Sequence, residues 1–525
     1  MKEFIAIFGD RLLGVLSGFD RLVFRGTLRA IVYAQGMEAY LEQNHVLLKN
    51  FAEHVEQVSR RLKQASLAAA EKMGRTVKYL ASGAVSKEET ARAMAAEQKI
   101  DAGLVCVLSC VEPCHSFEVY RNPESRRLEL QSRIRKCLFL YHYWIHPVFG
   151  FMNARIQTWF PFSIQVCLNG REWLARQMNP QGLKYVRQDN CFPWLEDFTR
   201  AQHLMDAQLR VNWPRPLAAL ARQLNPLHEQ MFRRFRVGYY WSTYQSEWAT
   251  DLVFRDPAVL RRLHPLLIHH ALTNLGTPEV LRFLGRKTRL DGQVPLSFQG
   301  EVETDLRKRE EGVRIKHTVN GNSLKLYDKA YTALGSVLRP EMTLNNVADF
   351  RVYRPREGDS QGPKAWRPLR RGVADLYRRA RVSQQANDRY LQALAQVDDS
   401  TRLEELLRPV ERPTIWKGQR ARALHPLQGP DATLFEAVAR GEFLLNGFRN
   451  RDLQCLLFAK PPDSTTEKRR RSARVSRQIR LLRAHGLLQK VTHENRYLVT
   501  KSGRQIITAI LAARKASVSQ LSKAA

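Results

Sequence analysis

The sequence predicts an α+β multidomain protein: a mixed sheet body with a helical insert, followed by a smaller helix-rich C-terminal domain. Three observations lead there. The chain has 525 residues, which at ~150 residues per domain suggests about three or four domains. Short apolar or alternating runs are interleaved with segments of helical apolar spacing. The hydrophobic content, 44%, can supply a sizeable core and excludes a wholly disordered chain.

Residues 1–130 read as an N-terminal α/β domain. Residues 22–26 read as a short strand and turn. The spacing of Leu41, Leu48, Phe51, Val55, Val58 and Leu62 predicts helix from about 36 to 70, and a second helix covers 87–97. The apolar run at 104–108 predicts a central strand. Residues 131–300 read as an aromatic-rich sheet plus a helical region. Strands are expected at 136–145, 154–160 and 163–168, then a helix at 171–177 after the Asn169-Gly170 punctuation. From Tyr141 to Phe162, 8 of 22 residues are aromatic. Such a sheet either fills a core or stacks unpaired bases. Residues 195–285 read as mostly helical, with helical spacing at 217–224 and 257–275. Residues 301–407 read as short alternating strands (313–317, 323–327, 341–344, 350–353), an exposed loop at 356–368 and a basic helix at 370–395. Residues 408–430, with four Pro and two Gly, read as an interdomain linker.

In the C-terminal segment, helices are expected at 432–440, 450–458 and 468–485, the last stopped by Gly486. Two short strands (487–491, 496–499) and a helix capped by Thr500 follow. On the long helix Val475, Ile479 and Leu482 share one face, and Arg470, Arg474, Arg477 and Arg480 lie opposite. The order helix, helix, helix, hairpin, helix, with the stretch RLLRAHGLLQKV…NRYLVTKSGR, resembles the winged helix-turn-helix of bacterial DNA-binding regulators over about 430–515. The resemblance completes the fold class with a winged helix-turn-helix domain at 431–515 and a tail at 516–525. It implies that the Arg face enters the major groove and that Arg496, near the wing, reaches the backbone or minor groove.

The formal charge is +33, a field that attracts polyanions. Residues 460–525 carry 16 basic and 3 acidic residues, and 351–390 carry 11 and 4. Arg370, Arg371, Arg378 and Arg379 are therefore further candidates for nucleic-acid contact. The abundance of Arg, whose planar fork suits phosphate, favours nucleic acid, DNA first and RNA second. No apolar run approaches the ~20 residues of a membrane span. Asp10 and Arg11 break the N-terminal apolar stretch, so it makes a poor signal peptide. The seven Cys lack the paired spacing of a zinc site or a disulfide framework. A cytoplasmic protein is expected, nucleoid-associated if it binds DNA. Neither a phosphate-binding Gly-Lys-Ser/Thr loop nor a dinucleotide fingerprint is present.

The second motif is Arg314-Ile-Lys-His317 … Lys325-Leu-Tyr327-Asp-Lys329 … Leu338-Arg-Pro-Glu341. Alternation puts Lys325, Tyr327 and Lys329 on one face of a strand, as a phosphate-binding surface would need. Over about 312–345 the segment resembles replication initiators of filamentous phages and rolling-circle plasmids. The resemblance implies a Tyr nucleophile and Mg2+ or Mn2+. Tyr327 would attack a phosphodiester, Lys325 and Lys329 would lower its pKa and hold phosphate, and Glu341 would hold the cation. The family's His-hydrophobe-His metal motif is absent. The nearest feature is His142 and His146, four apart and on one face of a strand or a helix. Glu247 and Asp251 are also four apart and on a helix would share a face suited to Mg2+. Asp20 reads as an acidic ligand or a strand-edge salt bridge. The expected function is a DNA-binding protein of mobile-element or replication-initiator type, with metal-dependent strand nicking by an endonuclease centre. The alternative is a non-catalytic RNA-binding or ribonucleoprotein component, or a large transcriptional regulator.

Overall fold

The computed structural model describes the chain outside residues 287–297, 299, 310–311, 333–334, 357, 360, 396–402, 441–442, 444–446, 492–493 and 517–525. The strands, in chain order, are β1 (Leu12–Thr27), β2 (Thr76–Tyr79), β3 (Gly103–Arg121), β4 (Leu128–His146), β5 (Gly150–Gln157), β6 (Ile164–Asn169), β7 (Tyr185–Gln188), β8 (Cys191–Leu195) and β9 (Tyr240–Phe254). They continue as β10 (Val302–Arg309), β11 (Gly312–Val319), β12 (Asn322–Thr332), β13 (Gly335–Leu344), β14 (Arg351–Arg354), β15 (Ala365–Pro368), β16 (Thr414–Trp416), β17 (Gln419–Ala421), β18 (Leu488–Lys490) and β19 (Tyr497–Val499).

Eleven of them form one mixed sheet in the order β10-β11-β12-β13-β9-β1-β6-β5-β4-β3-β2. Its pairs are antiparallel except β2 with β3. The expected boundaries at 130 and 300 do not separate sheets. β3 and β4 pair across the first, and β9 pairs with β13 across the second.

One sheet face is apolar. Leu252 and Phe254 of β9, Leu324 and Leu326 of β12, and Leu338 and Met342 of β13 pack with Leu260, Leu263 and Leu267 of helix Pro257–Asn274 and Tyr390 and Leu391 of helix Leu376–Leu394. Helix Phe51–Lys72 covers the same face further along, where Val55 and Leu62 join Leu140 and Met152. Burying such a face is what holds a sheet to its helices. The other face is polar towards the middle of the sheet and carries the site described below.

Three expectations need correction. Residues 240–254 are a strand, not helix, because Trp248, Thr250, Leu252 and Phe254 point by turns to the opposite side from Glu247, Ala249 and Asp251. Of the two readings open for the aromatics between 141 and 162, the core reading holds for six of the eight: Tyr141, Tyr143, Phe149, Phe151, Phe160 and Phe162 are buried, while Trp144 and Trp159 are half-buried. Residues 408–430 are not a bare linker: Val410 and Leu424 sit in the C-terminal core, and β16 pairs with β17. Within 356–368, the end of the segment pairs as β15 with β14.

The C-terminal unit contains helices Gly429–Val438, Asn450–Leu457 and Thr465–Ala484, the β18–β19 hairpin and helix Lys501–Lys515. Val475, Ile479 and Leu482 are buried against Leu434, Phe435, Leu453 and Ile510. Thr500 Oγ1 accepts from Gly503 N at 2.9 Å, the expected cap. Among the described residues, no helix is long and apolar enough to cross a membrane.

Candidate functional site

β9 lies between β1 and β13, and its alternation sends Glu247, Ala249 and Asp251 to the polar face. On β13, Thr343 stands opposite Glu247 and Glu341 opposite Ala249, so Glu341 and Arg339 join that face. One strand further, Lys325 of β12 stands opposite Glu341 and Tyr327 opposite Arg339. On the other side of β9 the pairing register slips between Phe19 and Arg21 of β1, which leaves Asp20 as an extra residue in a β-bulge. A bulge re-aims a side chain relative to the regular pleat. Together these brings Asp20, Glu247 and Glu341 into one cluster, each with a carboxylate oxygen within 4.8 Å of the others.

A dense set of cations surrounds it. Lys325 Nζ donates to Glu341 Oε1 at 2.7 Å and to Glu247 Oε1 at 3.4 Å. Arg339 donates through Nη1 to Asp20 Oδ1 at 3.4 Å and through Nη2 to Asp251 Oδ2 at 2.9 Å. Arg171 Nη2 reaches the same Asp251 oxygen at 2.8 Å. Asn190, in the turn between β7 and β8, donates to Asp20 Oδ2 at 2.7 Å and accepts from Lys329 Nζ at 2.8 Å. Burial, with Glu341 nearby, holds Glu247 above the usual carboxylate range. Burial also raises Asp20, against the pull of Arg339. Burial alone would raise Glu341 too, but Lys325 and Arg339 outweigh it and hold this carboxyl low. The three acids are thus unequal: Glu341 is held low, Asp20 and Glu247 high.

Beside them is a cavity of about 370 Å3 whose lining holds the acids Asp20, Glu88, Glu172, Asp189 and Glu247 and the bases Arg21, Arg92 and Arg187, with Arg187 paired to Glu172 at 2.8 Å. That is within the size range of small-ligand pockets. All three clustered donors are hard carboxylate oxygens, the type that Mg2+ and Mn2+ take. The donor set therefore fits such a cation.

Glu341 lies in this cluster, and so do Asp20 and Glu247. Lys325 is buried in it, held by two carboxylates, rather than displayed for phosphate. Tyr327 shares the face but is not part of the cavity lining among the described residues. Burial, then Glu341, raises its phenol; Lys325 and Arg314 do not overcome that, contrary to the expected activation. Lys329 is buried, 5.2 Å from the Tyr327 ring centroid. His142 and His146 do not join Glu341. They stand opposite Ala154 and Gly150, on the apolar side of β4. His142 Nε2 meets Ser66 Oγ at 2.7 Å, and burial lowers its pKa to about 4. His146 Nδ1 accepts from Val148 N at 3.1 Å and caps its own turn.

Of the basic helix, Arg379 is removed from solvent and donates to Ser246 Oγ at 2.7 Å and to the carbonyls of Thr243 and Leu344. Arg370 and Arg378 both pair with Asp375, while Arg371 is exposed. Arg470, Arg474, Arg477 and Arg480 are all exposed on helix Thr465–Ala484. Arg480 donates to Gln419, and Arg496 Nε pairs with Glu494 at 3.2 Å.

Sequence reasoning missed Arg171, Arg339 and Asn190. A signal existed for Arg339, two residues from Glu341 and so on its face of a strand. None existed for Asn190, which reaches the cluster only because the β7–β8 hairpin folds over β12 and β13. No family model, no curated protein and no solved structure matches this chain.

Proposed function

We propose that the protein binds nucleic acid, DNA in the first place, and cuts a phosphodiester bond at the Asp20–Glu247–Glu341 cluster with a bound Mg2+ or Mn2+. The observation that carries the reading is the convergence of these three carboxylates, from β1, β9 and β13, two of which, Asp20 and Glu247, line a cavity that also holds Arg21. Asp20, Glu247 and Glu341 would hold the cation, which would supply Lewis-acid stabilisation of charge building on phosphate. Arg21, on the cavity lining, would hold the backbone of the substrate. The water oxygen bonds to phosphorus as the P–O bond to the leaving sugar oxygen breaks; Glu247, on the cavity lining, takes the water's proton as general base, and the leaving oxygen takes a proton from solvent. Water is the nucleophile in this reading, because Tyr327 stands off the cavity with a raised pKa. The C-terminal unit acts as a winged helix-turn-helix that positions the duplex through the exposed Arg470 and its neighbours.

Cutting of a supercoiled plasmid, followed on a gel with Mg2+ or Mn2+, tests this. Asp20→Asn and Glu247→Gln are expected to lose at least a hundredfold in rate. Tyr327→Phe is expected to stay within about tenfold of wild type and to leave no covalent adduct in either protein. Loss of all cutting in Tyr327→Phe, with a DNA adduct in wild type, would restore the tyrosine mechanism.

One observation favours a second, non-catalytic reading. Asp20, Glu247, Asp251 and Glu341 stand against Arg171, Lys325, Lys329 and Arg339, so the network is balanced without a metal. In that case neither cation raises the melting temperature and no strand is cut.

A further inference from the structure

The β16–β17 hairpin lies against the C-terminal half of helix Thr465–Ala484. It turns through Lys417 and Gly418, both at positive φ (51° and 72°), the backbone of a tight two-residue loop. Gln419 accepts from Arg480, and the Arg483 guanidinium lies 5.1 Å from the Trp416 ring centroid. Between hairpin and helix is a cavity of about 510 Å3, lined by Trp416, Arg420, Arg474, Arg477 and Arg480 among others. The acid in its lining, Asp431, is held by Arg422 through two contacts of 2.7 Å. Among the described residues, Arg420 and Arg477 have no acidic partner. The cavity therefore holds a strong excess of positive charge beside an indole.

This shape does not suit a duplex. An α-helix with its side chains is about 10–12 Å across and already fills the ~12 Å major groove. A hairpin alongside the helix leaves no room for both. Only the N-terminal half of the helix, around Arg470, stands clear. A cationic cleft with an aromatic side chain is instead the arrangement that takes an unpaired strand, base on ring and phosphates on arginines.

We infer that this cleft is a single-strand site: Trp416 stacks a base, and Arg420, Arg474 and Arg477 take the flanking phosphates. The inference rests on the nucleic-acid reading above and adds to it a second mode of contact, distinct from duplex recognition by the free half of the helix. It also gives the 408–430 segment a function.

The full-length chain is titrated against a labelled 15-nucleotide single strand and against the same sequence as a duplex, by fluorescence anisotropy. Arg420→Ala with Arg477→Ala is expected to weaken single-strand binding at least tenfold and duplex binding less than threefold. Trp416→Ala should weaken single-strand binding about tenfold, and Trp416→Tyr should recover most of it. Equal losses on both probes, or no loss on the single strand, overturn the inference while leaving the nucleic-acid reading intact. A wild-type chain that binds neither probe at low salt overturns both.

Discussion

Asp251 accepts from two buried guanidiniums, those of Arg171 and Arg339. Burial alone would raise its carboxyl, but these partners hold it below the usual range. Replacing it with Asn leaves both cations without their shared charge, and removing one partner of a buried pair costs about 3–5 kcal/mol. Asp251→Asn is therefore expected to lower the urea midpoint strongly with the m-value unchanged. Its depressed pKa also stabilises the fold above the ordinary carboxylate range, and that contribution is lost as pH falls through the folded value. Glu247 has the opposite sign. Burial raises it, so its contribution is complete below the ordinary carboxylate pKa and is lost as pH rises through the raised folded value. Glu247→Gln abolishes that loss. The variant is expected to melt higher than wild type at pH 8, with the advantage vanishing near pH 4, as thermal melts across pH would measure. Added Mg2+ should raise the melting temperature of wild type and not of the variant, because a ligand stabilises only the state that binds it.

The element that carries most of the site is β9, and it is also the one the sequence hides best. Tyr240, Tyr244, Trp248 and Leu252 recur every four residues, as do Glu247 and Asp251. Four residues is two strand periods and close to one helical turn, so spacing alone does not separate the two. β12 was legible because Lys325, Tyr327 and Lys329 alternate with Leu324 and Leu326, a period of two that no helix shares. The acids were visible one at a time. Their convergence was not, because it depends on β1 pairing with β9 more than 200 residues away and on the slip that turns Asp20 inward. The position of β1 against its covering helices is equally unforgiving. A Cβ on Gly170, at the start of helix Gly170–Met178, would collide with the backbone carbonyl of Phe19. That carbonyl belongs to the residue before Asp20 and has no side-chain freedom with which to yield. Gly170→Ala is expected to cost at least ~1–3 kcal/mol, the range for overpacking, and to weaken cation binding by displacing the bulge. Denaturant unfolding and calorimetric titration of Mn2+ measure the two effects separately.

Across the molecule, positive charge and candidate chemistry occupy different places. The central sheet encloses a balanced ion network, whereas residues 460–525 carry 16 basic residues against 3 acidic ones. The C-terminal unit has a core of its own, from Leu407 to Ile510, separate from the two large clusters that flank the sheet. Arg504 on its last helix pairs with Glu3 at the start of the chain, a partly exposed pair that contributes little, and Arg440 stands close enough to Glu279 of the body to pull its carboxyl down against burial. Removing residues 403–525 should therefore leave the unfolding of the body almost unchanged. The effect on binding is expected to be large and to have a particular form. Each phosphate contact contributes about 0.7–0.9 to the slope of log K against log salt. Losing Arg470, on the half of the helix that stands clear for a duplex, should reduce the duplex slope by about 0.9, and losing Arg420, Arg474 and Arg477 together should reduce the single-strand slope by about 2. Anisotropy titrations of the duplex and of the single strand at several NaCl concentrations, on the full chain and on residues 1–402, measure both. An unchanged slope would make the body, with Arg371 and the cavity arginines, the main grip on the polyanion.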